Sequence, residues 1–320
     1  MRIGVFAVLF GDKPFEETLD CLKELGLGAV EIGTGAYPGN AHCKPGELLR
    51  SDQKIKAFKK AIDDRGLVIS ALSCHGNPLH PDKRIANDHH KVFEQTVHLA
   101  SRLGVEQVIT FSGCPGGDPS AKQPNWITAP WPPEYMQMLD WQWKERAIPY
   151  WKETARICKQ AGVRVAIEMH PNFIVYNPET MLRLRDLAKG TIGCNFDPSH
   201  MFWQQVDVAT AIRALGECIY HVHAKDCKID PGNTALNGVL DVKKYTDEIH
   251  RSWIFRTVGY GNGESVWRDI VSNLRMVGYD HVISIEHEDS LMSGDEGLKK
   301  AIAFLKSVVI NAPAGKAYWA

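Results

Sequence analysis

The chain has 320 residues, and its 37 basic residues nearly balance 38 acidic ones. A net charge near −1 lacks the basic excess that attracts nucleic acid or an anionic membrane, so we expect a small-molecule partner. The eight cysteines form no C-x-x-C pair and no compact framework, which argues against a disulfide scaffold. The apolar start is too short to span a bilayer and shows no convincing signal-peptide cleavage region, so we expect a cytoplasmic protein.

Short β-like runs alternate with amphipathic helical stretches along the whole chain, a pattern typical of a parallel sheet. The predicted strands are Ile3–Phe10, Ala29–Thr34, Val68–Ser73, Gln107–Ser112, Arg164–Met169, Ile192–Asp197, Ile219–Ala224 and Val282–Glu288. Pro14 opens the first helix, and Asn177-Pro178 caps and starts the helix after the fifth strand. Glycines mark the turns from helix to strand at positions 66, 104, 162, 190 and 278.

Eight strand–helix repeats without an internal linker predict one closed (β/α)8 barrel, a TIM barrel, over residues 1–320. A doubly wound open sheet is the alternative. Two connections are long: residues 116–133 are rich in Pro, Gly and Trp, and residues 228–263 are polar and end in GYGNG. Both leave the carboxyl end of a strand, where barrels build active sites, so we expect either lids or subunit contacts.

Potential metal ligands stand near the ends of the last four predicted strands, in the segments VAIEMHP, IGCNFDPSH, YHVHAKD and ISIEHED. These ligands are Glu168, Asp197, His223 and Glu286. Taken alone, such a carboxylate is more often a helix cap or salt-bridge partner, and such a histidine a core residue. Together they predict a bound divalent cation, because converging carboxylates are costly to bury without one. An oxygen-rich set with one nitrogen suits Mn²⁺ first, with Mg²⁺ or Co²⁺ as alternatives.

On these motifs the chain resembles the sugar phosphate isomerase/epimerase family, the xylose isomerase-like barrels that include ketose 3-epimerases, inosose dehydratases and endonuclease IV. The resemblance implies that the same four residues bind the catalytic metal and that Glu168 and Glu286 transfer protons. Asp197-Pro198-Ser199-His200 matches the family's Asp-x-x-His element, which implies that His200 lies near substrate or metal. The chain departs from the ketose epimerases after His223, where their substrate-binding Arg is absent and Ile229 occupies that vicinity.

A metal-held carbonyl flanked by a base and an acid suits a sugar isomerase or epimerase. Elimination is the alternative, because WIFRTVGYGNG and IEHEDSLMS resemble the larger subunits of C-glycoside deglycosidases. Those 3-keto-glycoside lyases work with a smaller second subunit. A DNA-repair endonuclease is less favoured, since it needs more His and Asp ligands and a basic surface. A non-catalytic sugar-binding barrel would not need paired carboxylates.

Several further residues are candidate substrate contacts with equally plain structural alternatives. His75 in SCHGNP either faces the barrel mouth or makes a turn hydrogen bond. Lys225 either binds substrate hydroxyls or pairs with Asp226, and Arg256 either binds an anionic substrate or forms a loop salt bridge. Four tryptophans could stack on a sugar or an aglycone, although ordinary packing is favoured for most of them: Trp126, Trp131, Trp141 and Trp143. We expect a sugar or keto-sugar substrate and a homo-oligomer, or a complex with a smaller subunit for the lyase.

Overall fold

Eight parallel strands close into a barrel in the computed structural model, which describes residues 1–313, 315 and 319. In chain order the strands are β1 (Arg2–Phe6), β2 (Ala29–Gly33), β3 (Val68–Ser73), β4 (Gln107–Phe111), β5 (Arg164–Glu168), β6 (Ile192–Phe196), β7 (Ile219–Ala224), β8 (Asp226–Ile229), β9 (Trp253–Arg256) and β10 (Val282–Ile285). The barrel order is β1-β10-β7-β6-β5-β4-β3-β2, and β8 and β9 pair outside it. The predicted (β/α)8 barrel is therefore confirmed.

Helices surround the barrel and connect its strands. They are α1 (Phe15–Glu24), α2 (Pro45–Leu48), α3 (Asp52–Asp63), α4 (Lys83–Leu103), α5 (Glu134–Trp141), α6 (Ile148–Ala161), α7 (Pro178–Arg185), α8 (Pro198–Trp203), α9 (Val208–Leu215), α10 (Pro231–Asn237), α11 (Glu264–Met276) and α12 (Gly294–Val308). A π-helical turn, Gln142–Ala147, joins α5 to α6. Within the described residues, no helix has the length and apolar character that crossing a membrane requires.

The signals at the helix ends act as the sequence predicts. The Asn177 side chain accepts a hydrogen bond from the Thr180 backbone N–H at 3.0 Å and forms a capping box with Thr180 before α7. The five glycines between helices and strands all adopt positive φ, from 69° at Gly162 to 87° at Gly278. The longer helices of the barrel wall bury an apolar stripe, as Phe93 and Val97 of α4 do, whereas α5 and α10 have no buried residue.

The first and last barrel strands are shorter than predicted. The chain leaves β1 at Phe6, and Ala7–Phe10 forms a 3-10 helix in which Gly11 N–H donates to Val8 O at 3.1 Å. The apolar run continues through this turn because Ala7 and Phe10 remain buried. Hydrophobicity therefore could not show where strand pairing ends. The eighth barrel strand likewise stops before Glu286.

The two long connections differ in their structure. Residues 116–133 contain neither helix nor strand, whereas residues 228–263 include α10, β9 and the second half of β8. β8 pairs antiparallel with β9, from Asp226 opposite Arg256 to Ile229 opposite Trp253. The resulting two-stranded sheet packs on α8 through a separate apolar cluster. Because α8 begins directly after Asp197, the inserted sheet is attached to an element that forms the barrel mouth.

Candidate active site and metal centre

Four predicted ligands meet at the mouth of the barrel. Glu168 is the last residue of β5, Asp197 and Glu286 directly follow β6 and β10, and His223 lies on β7. Each offers one donor atom, and the four atoms lie within 4.8 Å of one another. We call this set the four-ligand cluster. The carboxyl ends of parallel barrel strands share one rim, so the fold itself brings these distant residues together.

Three buried ligand atoms of the four-ligand cluster lack a hydrogen bond from the described residues, although charged neighbours lie close to them, and we call these atoms orphaned. Asp197 Oδ2, His223 Nδ1 and Glu286 Oε2 are buried and have no hydrogen-bond partner in the described part of the chain. His223 Nδ1 lies 3.0 Å from Glu286 Oε2 and 3.3 Å from Glu168 Oε2. Buried polar atoms are normally satisfied. These orphaned atoms are all suitable ligands for a divalent cation, so the residues fit such an ion.

Lys225 contributes a buried positive charge beside the cluster. Its Nζ lies 3.1 Å from Asp197 Oδ2, 2.9 Å from Glu286 Oε2 and 3.1 Å from Glu288 Oε2. Burial would lower the pKa of Lys225, but the surrounding carboxylates raise it well above its usual value. The ammonium offsets one of the three negative charges on Glu168, Asp197 and Glu286. A divalent ion would further offset the negative charge of these carboxylates.

Histidines surround Glu168 and keep it ionised. His75 Nε2 lies 3.0 Å from Glu168 Oε2, and Asn195 Nδ2 donates to the same oxygen at 2.9 Å. His200 Nε2 lies 3.4 Å from Glu168 Oε1 and 3.3 Å from Asp197 Oδ2. Burial would raise the pKa of Glu168, but these neighbours hold it well below its usual value. The structure thus places His75 and His200 beside the predicted ligands.

Sequence analysis overlooked Glu31, a fully buried residue of β2. Both of its carboxylate oxygens lie 3.0 Å from His223 Nε2, and Ser73 Oγ donates to Oε1 at 2.6 Å. Burial would raise the pKa of Glu31, but His223 outweighs burial and lowers it to about 2. Glu31 therefore orients His223 so that Nδ1 faces the cluster. The available signal was a single carboxylate inside the apolar run AVEIG.

Two more buried polar residues were missed, although strand periodicity could have found them. Asn195 and His221 each stand two positions before a predicted ligand, so they share its face of the strand. His221 Nδ1 lies 3.0 Å from Asn195 Oδ1, while Asn195 also donates to Glu168. Burial lowers the pKa of His221 to about 3, which keeps the imidazole neutral. The two residues connect β6 and β7 beneath the cluster.

Weakening the contact between Glu31 and His223 is expected to weaken metal binding. Glu31→Gln keeps the shape but removes the charge that raises the basicity of His223, so the Kd for Mn²⁺ should rise by about 10–100-fold. Ser73→Ala, which removes only one hydrogen bond to Glu31, should produce a smaller rise. Competition with a chelating dye measures both constants. An unchanged Kd in Glu31→Gln would show that Glu31 does not support the metal site.

Arg256 and Asp226 have mainly structural contacts. Arg256 Nε donates to Asp289 Oδ2 at 3.1 Å, which is the loop salt bridge considered above. Asp226 Oδ2 accepts from the backbone N–H groups of residues 259, 261 and 262 at 2.9–3.1 Å. Asp226 thereby fixes the GYGNG turn. The carboxylates that contact Lys225 instead belong to Asp197, Glu286 and Glu288.

A cavity of about 280 Å³ opens onto the cluster. Phe6, Tyr37 and Phe111 form its apolar wall, and Glu168, Lys225 and Glu286 are among its charged lining residues. His170 also lines it, and burial lowers the pKa of that histidine to about 3, so its ring is neutral. Apolar faces beside a few converging polar groups are typical of a small-molecule site. We call this space the inner cavity.

The closed barrel with three carboxylates and an imidazole at its mouth defines a TIM-barrel protein with a candidate divalent-metal centre. Residues 19–308 match the family model described as the xylose isomerase-like TIM barrel, and the chain belongs to this family. The family resemblance found from the strand-end motifs is thereby confirmed. Membership in the C-glycoside deglycosidase subgroup is not established by the match.

Individual relatives are consistent with this family. The chain is 38% identical over 312 residues to an uncharacterized protein, YfiH, of Bacillus subtilis (strain 168), covering 97% of this chain and 99% of YfiH. D-psicose 3-epimerase from Clostridium cellulolyticum H10, solved with D-tagatose, superposes with a TM-score of 0.61 at 14% identity. The match covers 96% of this chain and 98% of the epimerase. The IOLI protein, solved with a zinc atom, gives a TM-score of 0.67 at 16% identity. The match covers 97% of this chain and 98% of the IOLI chain. The two structural matches show a shared fold.

Proposed function

We propose that this protein is a divalent-metal-dependent sugar isomerase or epimerase. The observation that carries the proposal is the four-ligand cluster, whose orphaned buried donor atoms adjoin a sugar-sized cavity. Paired carboxylates beside such a centre suit proton removal from a carbon next to a carbonyl. The epimerase among the structural neighbours supports the same class of chemistry.

Glu168, Asp197, His223 and Glu286 would hold the metal. Oxygen-rich ligands favour Mn²⁺ or Mg²⁺, with Co²⁺ as an alternative, and the zinc-bound neighbour adds Zn²⁺ to the ions worth testing. When bound, the cation would stabilise the negative charge that develops on the substrate oxygens. His223 presents Nδ1 to the centre because Glu31 holds its Nε2 on the other side.

Glu168 and Glu286 are the proposed proton-transfer groups. Their strands, β5 and β10, are separated by β6 and β7 on one side of the barrel and by four strands on the other. The two carboxylates therefore approach the cluster from different directions. The pKa of each lies below its usual range despite burial, because histidines face Glu168 and Lys225 and His223 face Glu286. Either is ionised at neutral pH and able to accept a proton from carbon.

The destination of the proton decides the reaction. Return to the same carbon from the opposite face is epimerisation, and return to the neighbouring carbon is isomerisation. In isomerisation the carboxyl group that took up the proton can return it to the neighbouring carbon. In epimerisation the other carboxyl group donates from the opposite face, so it would first take up a proton from solvent, and the group that removed the first proton is left protonated. A substrate that displaces water favours this protonated state, because burial raises a carboxyl pKa. His75 and His200, beside Glu168, are positioned to orient substrate hydroxyls.

A lyase acting on 3-keto-glycosides is the second candidate. The inserted β8–β9 sheet favours it, because Phe255 of β9 lies against the site, with its ring centroid 4.8 Å from Lys225 Nζ. The inserted sheet extends the wall of the candidate active site, so that the site is longer than one sugar ring needs. The same carboxylates would remove the proton, and a leaving group would depart in place of proton return. Of the two candidate functions, only the lyase involves a smaller second subunit.

Solvent exchange distinguishes these reactions. The Mn²⁺-loaded protein is incubated in D₂O with a panel of free ketoses and 3-keto-glycosides, and the products are analysed by NMR and mass spectrometry. Deuterium incorporation without bond cleavage is the result expected of an isomerase or epimerase. Release of an aglycone would instead select the lyase. Failure of every sugar to exchange or cleave would reject both reactions and favour a non-catalytic sugar-binding barrel.

A further inference from the structure

Two further cavities adjoin the inner cavity on the side of the inserted sheet. Their volumes are about 300 and 240 Å³, and both are lined by His170, Tyr245 and Phe255. His170 also lines the inner cavity, and Glu288 lines both the inner cavity and the larger of the two. We call the two spaces the outer cleft. The shared lining residues make the outer cleft a continuation of the candidate active site.

Stacked aromatic rings hold the outer cleft in shape. Trp253 of β9 stacks on Trp203 of α8 with ring centroids 4.6 Å apart and planes 6° apart. The buried Arg251 guanidinium lies 4.6 Å from the Trp253 ring centroid and 4.5 Å from that of Tyr245. The Arg251 Nε also donates to Trp253 O at 3.0 Å. The cleft is therefore preformed, which lowers the ordering cost of binding.

The surface of the outer cleft is suited to a flat ring that carries no negative charge. Tyr245 is 56% exposed, and the apolar side chains of Leu240 and Val242 beside it are 63% and 99% exposed. Trp203 is 95% buried by contrast, and its indole N–H has no hydrogen-bond partner among the described residues. Neither cavity of the cleft is lined by a Lys or Arg from the described part of the chain. A phosphate group would lack the cation that it requires there.

We propose that the outer cleft binds a second ring of the substrate, so that the preferred substrate is an unphosphorylated two-ring sugar derivative whose first ring carries the reacting carbonyl. The first sugar ring would occupy the inner cavity, and this part of the inference rests on the proposed function. The second ring would stack on Tyr245 and Trp126 beyond His170. An aromatic aglycone and a second sugar present the same flat apolar face, and the experiment below separates them.

Equilibrium binding tests the cleft independently of turnover. Calorimetric titration of the Mn²⁺-loaded protein compares D-glucose with cellobiose and with the 4-nitrophenyl α- and β-D-glucopyranosides. At least one two-ring probe should bind about tenfold more tightly than glucose, the effect of one good aromatic contact. A preferred nitrophenyl glucoside indicates an aromatic aglycone, and preferred cellobiose indicates a second sugar.

Substitutions test whether the second ring binds in the outer cleft. Tyr245→Ala and Trp126→Ala should each reduce the preference for two rings by about tenfold, and Tyr245→Phe should retain it. Trp131→Ala is the matched control, because Trp131 belongs to the same loop as Trp126 but is 74% exposed and lies outside the lining of the cleft. Equal affinity for one and two rings, or a preference that survives both alanine substitutions, would overturn the inference.

The two proposals fail in different ways. Deuterium exchange into free ketoses, together with equal binding of all probes, would leave the isomerase or epimerase standing and reject the cleft. A preference for two rings that depends on Tyr245, with no exchange or cleavage of any sugar, would retain the cleft and reject the proposed catalysis.

Discussion

Glu286→Gln is expected to reduce proton exchange at the substrate carbon by about 10²–10⁴-fold while leaving a folded barrel. Glutamine has the same shape but cannot take up the proton, and it loses the charge that faces His223 Nδ1 at 3.0 Å. Exchange is measured in D₂O with whichever sugar the wild-type protein turns over. Saturating Mn²⁺ and metal analysis show whether the variant still carries the ion.

A neighbouring carboxylate provides the matched control for this substitution. Glu288 Oε2 also lies 3.1 Å from Lys225 Nζ, but the Glu288 side chain is 48% exposed and stands outside the four-ligand cluster. Glu288→Gln should therefore keep the kcat for exchange within a few-fold of wild type, with any loss appearing in KM because Glu288 lines the inner cavity. If metal-loaded Glu286→Gln exchanged as fast as the wild type, Glu286 could not be one of the proton-transfer groups.

Removal of divalent metal is expected to abolish activity and lower thermal stability together. Dialysis against a chelator leaves three carboxylates facing one another, with only Lys225 and the neighbouring histidines to offset them. Metal present at about one hundred times its Kd would stabilise the native state by about 2.7 kcal/mol, so Tm should recover by several degrees on readdition. Calorimetry follows Tm, and the exchange assay follows activity.

The choice of ion is part of the same experiment. Mn²⁺ should restore exchange best, with Mg²⁺ or Co²⁺ less effective, and Zn²⁺ is included because a structural neighbour holds it. Asp197→Asn should weaken the response of Tm to every ion, because Asp197 Oδ2 is one of the orphaned ligand atoms. Full activity in a sample that contains less than a tenth of an equivalent of metal would contradict the proposed centre.

Local sequence signals determined most of the barrel and predicted four residues that lie together at its mouth. Alternating strands and helices, the Asn177 cap and the glycines after the helices all report on neighbours in the chain, so a single sequence carries them. Four potential ligands at successive strand ends were also visible, because parallel strands in a barrel share one rim. The topology then requires those ends to converge whatever the details of packing.

Contacts across the barrel depended on the tertiary structure. Glu31 meets His223 from 192 positions away, and His75 meets Glu168 from 93 positions away. Neither pairing follows from local periodicity, because it depends on strand register and on closure of the barrel. The same closure directs Lys225 toward Asp197 and Glu286 and seats the inserted sheet on α8. The sequence by itself thus determined that Glu168, Asp197, His223 and Glu286 reach the mouth. Only the folded barrel decided which residues contact them, Glu31 included, because those distances are set by packing between strands far apart in the chain.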